Sequence, residues 1–533
     1  MGQSSSAEQV SPEQREAESL AASTGALPSL QKAFSLLSDP QTHSISLLSL
    51  QKCFGFSFEG STSEESTVPK EIPVLLSHLS SSIVDLFFLS EKGGVSWVEF
   101  LKGYTKCSGR AVSSASLNNL LRIFGMTCVK AGLPEKLQAV SDEDDSKISG
   151  FLSPVDVQML LWMCWVMWWD SKKLKASGNL GDSGLPDVTH LVLSAIDSCT
   201  EADSKLDLWE NNILDLDMQL PAAKIVLWAL KTVPSLADCF GQFIHARICY
   251  IATHEQEKLE QADLFLHDIS AREMSIGNLL TCGRAWAISL TLRSTMSEEM
   301  SKACFPSTVE EVDDYLLYRS SLHGKGLNRF WSNVEGYNGP LLILLSAHEV
   351  NNDSRRWTIG ALIQQGLENQ DTFYGSSGNL YSISPVFQVF TPSGREKNFV
   401  YSHLHATVKY EAHPKPVGLA FGGSSGNERI FIDEDFARVT VRHHACDKTY
   451  QHAPLFPDQG FLPVEASIVD VEVWGLGGKR ARDVQSSYKK REELFTNQRR
   501  KVDLKTFGNW EDSPEKMMMD MVSDPNRVRR EDR

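Results

Sequence analysis

Residues 417–435 read VGLAFGGSSGNERIFIDED, and residues 469–478 read VDVEVWGLGG. Two apolar runs, Val417–Phe421 and Ile430–Ile432, flank a cluster of Gly, Ser and Asn. Short apolar runs separated by residues that tolerate positive φ predict a β-hairpin. In the second stretch Val469, Val471 and Val473 fall on one face of an extended chain, with Asp470 and Glu472 on the other. That alternation predicts a half-buried strand.

Working outward, further segments fall in order upstream: YLLYRSSLHG at 315–324, GYNGPLLILL at 336–345, WTIGA at 357–361, DTFYG at 371–375, LYSISP at 380–385 and NFVY at 398–401. The ordered set, over 313–478, resembles the TLDc domain family. The resemblance implies a β-sandwich flanked by helices and no agreed catalytic machinery, so it points to a binding module that needs no cofactor.

Composition sets the remaining bounds. The chain has 533 residues, 41% hydrophobic and 23% charged, which suits a foldable protein of several domains. The formal charge is −16, unevenly spread: the tail 479–533 carries 15 Lys/Arg against 11 Asp/Glu, so the preceding 478 residues carry −20. An acidic body repels a phosphate backbone, which argues against a nucleic-acid partner. Ten scattered cysteines without a CxxC pair read as reduced thiols of a cytosolic chain. The 13-residue run Val157–Trp169 is too short to span a bilayer and predicts a buried helix.

The opening Met1-Gly-Gln-Ser-Ser-Ser6 fits a myristoylation pattern on Gly2. A single myristoyl chain binds membrane with an association constant on the order of 10⁴ M⁻¹, so a second anchor, such as a membrane-bound partner, is expected. Residues 1–25 are polar and read as an unstructured, acylated arm.

Residues 26–300 read as helical, with long apolar or amphipathic runs over Leu152–Trp169, Pro221–Lys231 and Cys239–Gln261. Four segments, near 38–49, 88–99, 141–152 and 199–210, place Ile45, Val95, Ile148 and Leu206 at the eighth position of a calcium-type loop. This half resembles a degenerate EF-hand array. The oxygen ligands are poor, since Phe88, Lys92 and Pro40 stand where carboxylates belong. Glu99, Glu201, Asp203 and Glu210 are the calcium candidates, and metal-free helix–loop–helix units are the plainer expectation.

Other constellations are read mainly as scaffold. His443-His444-Ala-Cys446 with His452 tempts a metal assignment, but adjacent residues of a strand face opposite ways. Gly422–Gly426 lacks a phosphate-loop frame and reads as a turn. Cys446 is the redox candidate that the oxidation-resistance label of the family singles out, with Arg442 and Lys448 nearby in sequence. Trp162, Trp165, Trp168 and Trp169 read as core. In the tail, Arg491–Leu504 predicts a charged helix able to dock on an acidic partner or on anionic lipid.

A Gly2 acylation signal, EF-hand-like helices and a C-terminal TLDc domain together resemble the branch of the family with mTOR-associated lysosomal and fungal telomere-capping members. The resemblance implies a peripheral protein on the cytoplasmic face of lysosome- or vacuole-type membranes, with a cytosolic pool. It also implies binding of V-ATPase subunits through the TLDc domain and links to mTOR-type signalling. A calcium-responsive acylated sensor and an oxidative-stress protection protein are the alternatives.

Overall fold

A computed structural model describes residues 11–55, 69, 71–90, 93–108, 112–139, 147–175, 184–200, 207–209, 213, 216–253, 279–292, 295–304, 315–349, 352–404, 415–508, 516 and 518. Gly2 and the candidates Glu201, Asp203 and Glu210 lie outside the described residues.

Several helices open on a side-chain cap, among them those at Ser11, Ser46 and Thr281. Ser11 opens helix Pro12–Ser23 by accepting from the Gln14 amide, with Pro12 in the first turn. This helix corrects the expectation of an unstructured 1–25: Ala17 and Ala21 make a small buried face. Glu13 pairs with Lys102, and Glu18 accepts from Trp97 Nε1 at 2.9 Å. A composition poor in large apolar residues still folds when a neighbour covers the alanine face.

The helical half is built from paired helix–loop–helix units. Leu27–Leu37 and Leu47–Cys53 flank one loop, and Leu79–Phe87 and Trp97–Ser108 flank the next. Strands β1 (Ile45–Ser46) and β2 (Gly94–Val95) join them, with Ile45 opposite Val95. In the second pair Ser113–Lys130 and Pro154–Lys175 flank one loop, and Thr189–Cys199 and Ala222–Thr232 flank the other. Here β3 (Leu137–Ala139) pairs with β4 (Ile148–Leu152), and β4 pairs with β5 (Leu220–Pro221), placing Leu152 opposite Leu220.

The loop register of this second pair differs from the sequence reading. Ile45 and Val95 each stand two residues before their exiting helix, and so do Leu152 and Leu220, not Ile148 and Leu206. Ile148 instead faces Ala139 of β3, and Leu206 lies outside the described residues. Ile148 and Leu152 are both apolar, so periodicity alone could not choose between them; the strand inserted before the loop decides. The paired positions of the third and fourth loops are therefore Leu152 and Leu220. The residue two before each paired position is left-handed in the first three loops, His43 at φ 48°, Gly93 at 80° and Gly150 at 119°.

Helix Cys239–Thr253 and helix Pro154–Lys175 are tied together by the fork of Arg247 on Asp170, at 2.7 and 2.6 Å. Trp162, Trp165 and Trp168 are buried, and Trp165 meets Trp286 edge-on at 5.6 Å. Trp169 is half-buried and packs against the same core, so the tryptophan group serves the core as read, with Trp168 rather than Trp169 as its third buried member.

The second half is one antiparallel sheet curled on itself. Its strands are β6 (Leu316–Arg319), β7 (Leu341–Glu349), β8 (Asn352–Ile363), β9 (Gln370–Tyr374), β10 (Gly378–Ser384), β11 (Gln388–Phe390), β12 (Val400–His403), β13 (Gly418–Ser424), β14 (Asn427–Asp433), β15 (Arg438–Val441) and β16 (Val464–Gly475). The order is β11-β10-β8-β7-β16-β15-β14-β13-β12-β9, with β6 added to β16. One face gathers Leu341, Ile343, Ile359, Leu419, Phe421, Ile430, Ile432, Val471 and Val473 into a core of its own. The other face of β7, β8, β10 and β16 gives Leu342, Leu344, Leu362, Tyr381, Ile383 and Trp474 to the core of the helical half. The fold is α+β with two linked cores.

The opening hairpin is β13–β14, turning through Ser425-Gly426 between paired Ser424 and Asn427. Gly422, Gly423 and Gly426 all have positive φ, and a side chain on Gly423 would fall 2.3 Å from the Asn427 carbonyl. The glycines serve the turn.

Candidate functional site

The strand 469–473 is not half-buried. A bulge between Ile468 and Asp470 changes its register against β7, and both acidic residues are enclosed. Glu472 is 0% exposed. It accepts from the amides of Leu279 (2.7 Å) and Leu280 (3.2 Å), just ahead of helix Cys282–Ser289, and from Trp474 Nε1 at 3.0 Å. Burial pushes its carboxyl above the usual range, while these donors and the Arg319 charge pull the other way. Asp470 accepts from Ser320 Oγ (2.5 Å), Ser321 Oγ (2.8 Å) and Arg319 Nε (3.1 Å). Burial opposes its charge, but these hydrogen bonds outweigh it and hold the carboxyl below the usual range. The contact fastens sheet to helices, so this face of the sheet is occupied within the molecule.

Two more contacts cross the same boundary. The Phe387 amide donates to the His190 carbonyl at 3.0 Å, and Thr291 Oγ1 meets Tyr381 Oη at 3.0 Å. Burial beside Arg284 drives the His190 imidazole down to about 4, against the attraction of Asp187.

A second clamp lies under the hairpin. Arg429, 1% exposed, pairs with Asp447 at 2.8 Å, donates to the carbonyls of Gln451 and Ala453, and covers the Phe390 ring at 4.7 Å. Asp447 also accepts from the amides of Thr449 and Tyr450. Together they fix the loop that carries His443, His444, Cys446 and His452. Burial lowers both His443 and His444. Among the described residues no group of three His, Cys, Asp or Glu side chains is placed to hold a metal ion. Cys446 is exposed and unbridged. The buried thiols of Cys53, Cys128 and Cys239 are pushed up to about 12 by desolvation, which makes them poor nucleophiles.

Glu99 is engaged as a cap: its Oε2 accepts from Ser96 N and Ser96 Oγ, both at 2.7 Å, at the start of Trp97–Ser108. Asp433 ends β14 and accepts from the amides of Ala437 and Arg438 across the turn that holds Glu434 and Asp435.

The surface best arranged to meet a partner is the C-terminal helix, Gly478–Gly508. It starts 13 residues ahead of the expected Arg491–Leu504. Its root is tied down at Tyr337, whose Oη accepts from Gly477 N at 2.7 Å, and Ala481 enters the sheet core. Gln485, also buried, donates to the carbonyls of Asn333 (2.8 Å) and Glu335 (3.2 Å). Lys489 Nζ reaches the same Asn333 carbonyl at 3.1 Å, and Tyr488 Oη donates to Glu335 Oε1 at 2.9 Å. Gln485 and Lys489 satisfy carbonyls at the end of helix Leu327–Val334, and an ammonium there also suits the helix dipole. Gly336, at φ 78°, lets the Tyr488 ring approach; a side chain would meet it at 2.5 Å.

From Arg491 to Arg500 every residue is exposed. Leu494 is 63% and Phe495 54% exposed, and Val484, Tyr488, Arg491 and Phe495 follow one stripe at helical spacing. An open groove of about 430 Å³ runs beside the root, lined by Gly336, Arg480, Val484, Tyr488 and Arg491 among others. The stretch 479–505 carries ten basic against four acidic residues. No described helix is long and apolar enough to cross a membrane. The sequence reading found the charged helix but not its anchors; the spacing of Ala481, Gln485 and Tyr488 was the available signal. It also missed Arg429, Asp447 and Glu472, for which no local pattern announces burial.

Comparison with known proteins agrees with the sheet architecture. Residues 289–477 match the TLDc domain family, starting 24 residues ahead of the boundary read from sequence. The mTOR-associated protein MEAK7 of Danio rerio is 26% identical over 163 residues, 30% of this chain and 32% of that protein. Nuclear receptor coactivator 7 of Gallus gallus is 24% identical over 184 residues, 34% of this chain and 17% of that protein. Restriction of telomere capping protein 5 of Zygosaccharomyces rouxii is 25% identical over 144 residues, 27% of this chain and 26% of that protein. The chain thus matches at most about a third of the length of these relatives. The sheet half of this chain, residues 289–477, is a TLDc domain.

Proposed function

We propose that the protein is a non-catalytic regulator or adaptor that binds V-ATPase subunits through its TLDc domain and the helix projecting from it. In this reading Gly2 is myristoylated and delivers the chain to the cytoplasmic face of lysosome- or vacuole-type membranes, next to mTOR-type signalling. The observation that carries it is the C-terminal helix: rigidly rooted by Gln485 and Tyr488, exposed over 491–500, basic and edged with Leu494 and Phe495. A helix held this way presents a preorganised surface, so docking it costs little ordering entropy. The relatives named for mTOR association support a regulatory role.

The test is affinity capture of the full chain from detergent-solubilised lysosomal membranes, with pump subunits quantified. Leu494→Asp combined with Phe495→Asp is expected to abolish enrichment while leaving the melting temperature unchanged. Undiminished enrichment by that variant, or by a chain lacking 313–508, overturns the reading. Proximity labelling with Gly2→Ala tests the membrane arm separately, the expected result being loss of lysosomal neighbours.

A further inference from the structure

Helix Cys239–Thr253 carries His245 and Cys249 one turn apart, so the two side chains share a face. Cys249 Sγ lies 3.5 Å from His245 Nε2 and 4.0 Å from Nδ1, set against the ring. A second helix, Trp97–Ser108, holds the same ring: Tyr104 Oη meets His245 Nδ1 at 2.9 Å. The side chains of Thr24 and Ser108 lie alongside that hydroxyl. Tyr104 is 1% exposed, and burial raises its phenol above the usual range, so it meets the imidazole as a neutral group.

The contact between the two helices is fixed beside this cluster. Ser108 Oγ donates to the Gly241 carbonyl at 3.1 Å, and a Cβ on Gly241 would stand 3.0 Å from the Cys107 carbonyl oxygen. The thiols here are of two kinds. Burial pushes the Cys107 thiol well above its usual range, whereas Cys249 is half-buried and keeps a path to small molecules. Arg247, on the same helix, is committed to Asp170. The imidazole is therefore the base at the Cys249 sulfur. A nucleophile, a base beside it and a third group orienting that base are the parts that make a cysteine reactive.

We propose that Cys249 is a site of reversible S-thiolation, at which His245 takes the thiol proton and the sulfur attacks a low-molecular-weight disulfide. With Tyr104 Oη accepting from Nδ1, the Nε2 lone pair is left to receive that proton. The Cys249 sulfur bonds to one sulfur of the disulfide, whose own S–S bond breaks. The departing thiolate takes the proton back from the imidazolium. Cys249 is oxidised to a mixed disulfide, the small disulfide is reduced to one thiol, and His245 returns to its starting state. Tyr104 is a positioning residue in this scheme. The site goes beyond the partner-binding reading and does not depend on it.

The experiment treats the reduced full chain with the neutral disulfide dithiodipyridine at pH 7 and follows each cysteine by peptide mass spectrometry. Cys249 is expected to react about tenfold faster than Cys446, although Cys446 is the exposed thiol. His245→Gln is expected to slow Cys249 about tenfold, and Tyr104→Phe about threefold, with the rate at Cys446 unchanged in both. A merely structural role gives the opposite sign, because loosening the helices uncovers thiols and speeds them. His245→Asn carries the same test should the glutamine variant not fold, and the wild-type ratio requires no variant. A wild-type Cys249 no faster than Cys446 overturns the inference, as does a His245 variant in which Cys249 reacts as fast as before.

Discussion

The two halves of the molecule solve burial differently. The helical half satisfies its backbone locally, so its core is mostly apolar, crowded with Leu, Phe and Trp, and among the described residues Asp156 is its buried carboxylate. The sheet half buries Glu428, Arg429, Asp447, Asp470 and Glu472. The reason lies in its loops. A curled sheet is left with long connections whose amides and carbonyls have no ladder partner, and a charged side chain satisfies several at once. Arg429 and Asp447 do this for 447–453, and Glu472 does it for 279–280 across the domain boundary. The lesson is that charge inside this protein marks where irregular chain must be held.

The largest expected effect breaks the sheet side of that contrast. Arg429→Met leaves Asp447 buried without its partner and should cost about 3–5 kcal/mol in chemical unfolding of the full chain. A loss under about 1 kcal/mol would mean the loop is held by packing alone. By the same logic Leu161→Met in the helical core, which conserves volume, should cost under about 1.5 kcal/mol.

The boundary between the halves is the next test. His190 is held neutral, its imidazole driven down to about 4 from an ordinary 6.5. A histidine depressed in the folded state takes up its proton in the unfolded chain first. Its contribution is therefore intact above about pH 6.5 and is lost as pH falls towards about 4. The loss approaches about 3 kcal/mol, and a His190→Leu chain should show a flatter decline over the same window in pH-dependent melting.

Smaller effects concern the helix root. Gly336→Ala places a methyl against Tyr488 at a left-handed position and should cost about 1–3 kcal/mol. Faster hydrogen exchange at 478–490 than at β16 would locate that cost in helix docking. Smallest of all, Phe495→Asp should change stability by under about 0.5 kcal/mol, since the side chain touches no core. If it proves strongly destabilising, the helix is not the free surface described above.

Much of the architecture was legible because it rests on local chemistry. The hairpin at Ser425-Gly426 follows from glycines between two apolar runs, and Pro154–Lys175 from an apolar stretch of helical length. Loop pairing through Ile45 and Val95 was readable for the same reason. The third loop was not, because Ile148 and Leu152 are equivalent until β3 pairs with one end of the strand. Nor was the helix at Pro12–Ser23, which Trp97 and Lys102 fasten through Glu18 and Glu13.

The sequence by itself determined the α+β division, the glycine turns, the apolar helices and the basic tail, since these depend on periodicity, φ preference and charge along the chain. The tertiary structure alone decided which charges are buried, where the loop register falls and what roots the C-terminal helix. Asp470 and Glu472 look solvent-facing in an alternating strand until Arg319–Ser321 enclose the first and the amides of Leu279 and Leu280 meet the second. Lys136 meets Asp156, and Gln485 meets Asn333, across separations of 20 and 152 residues that no local pattern spans.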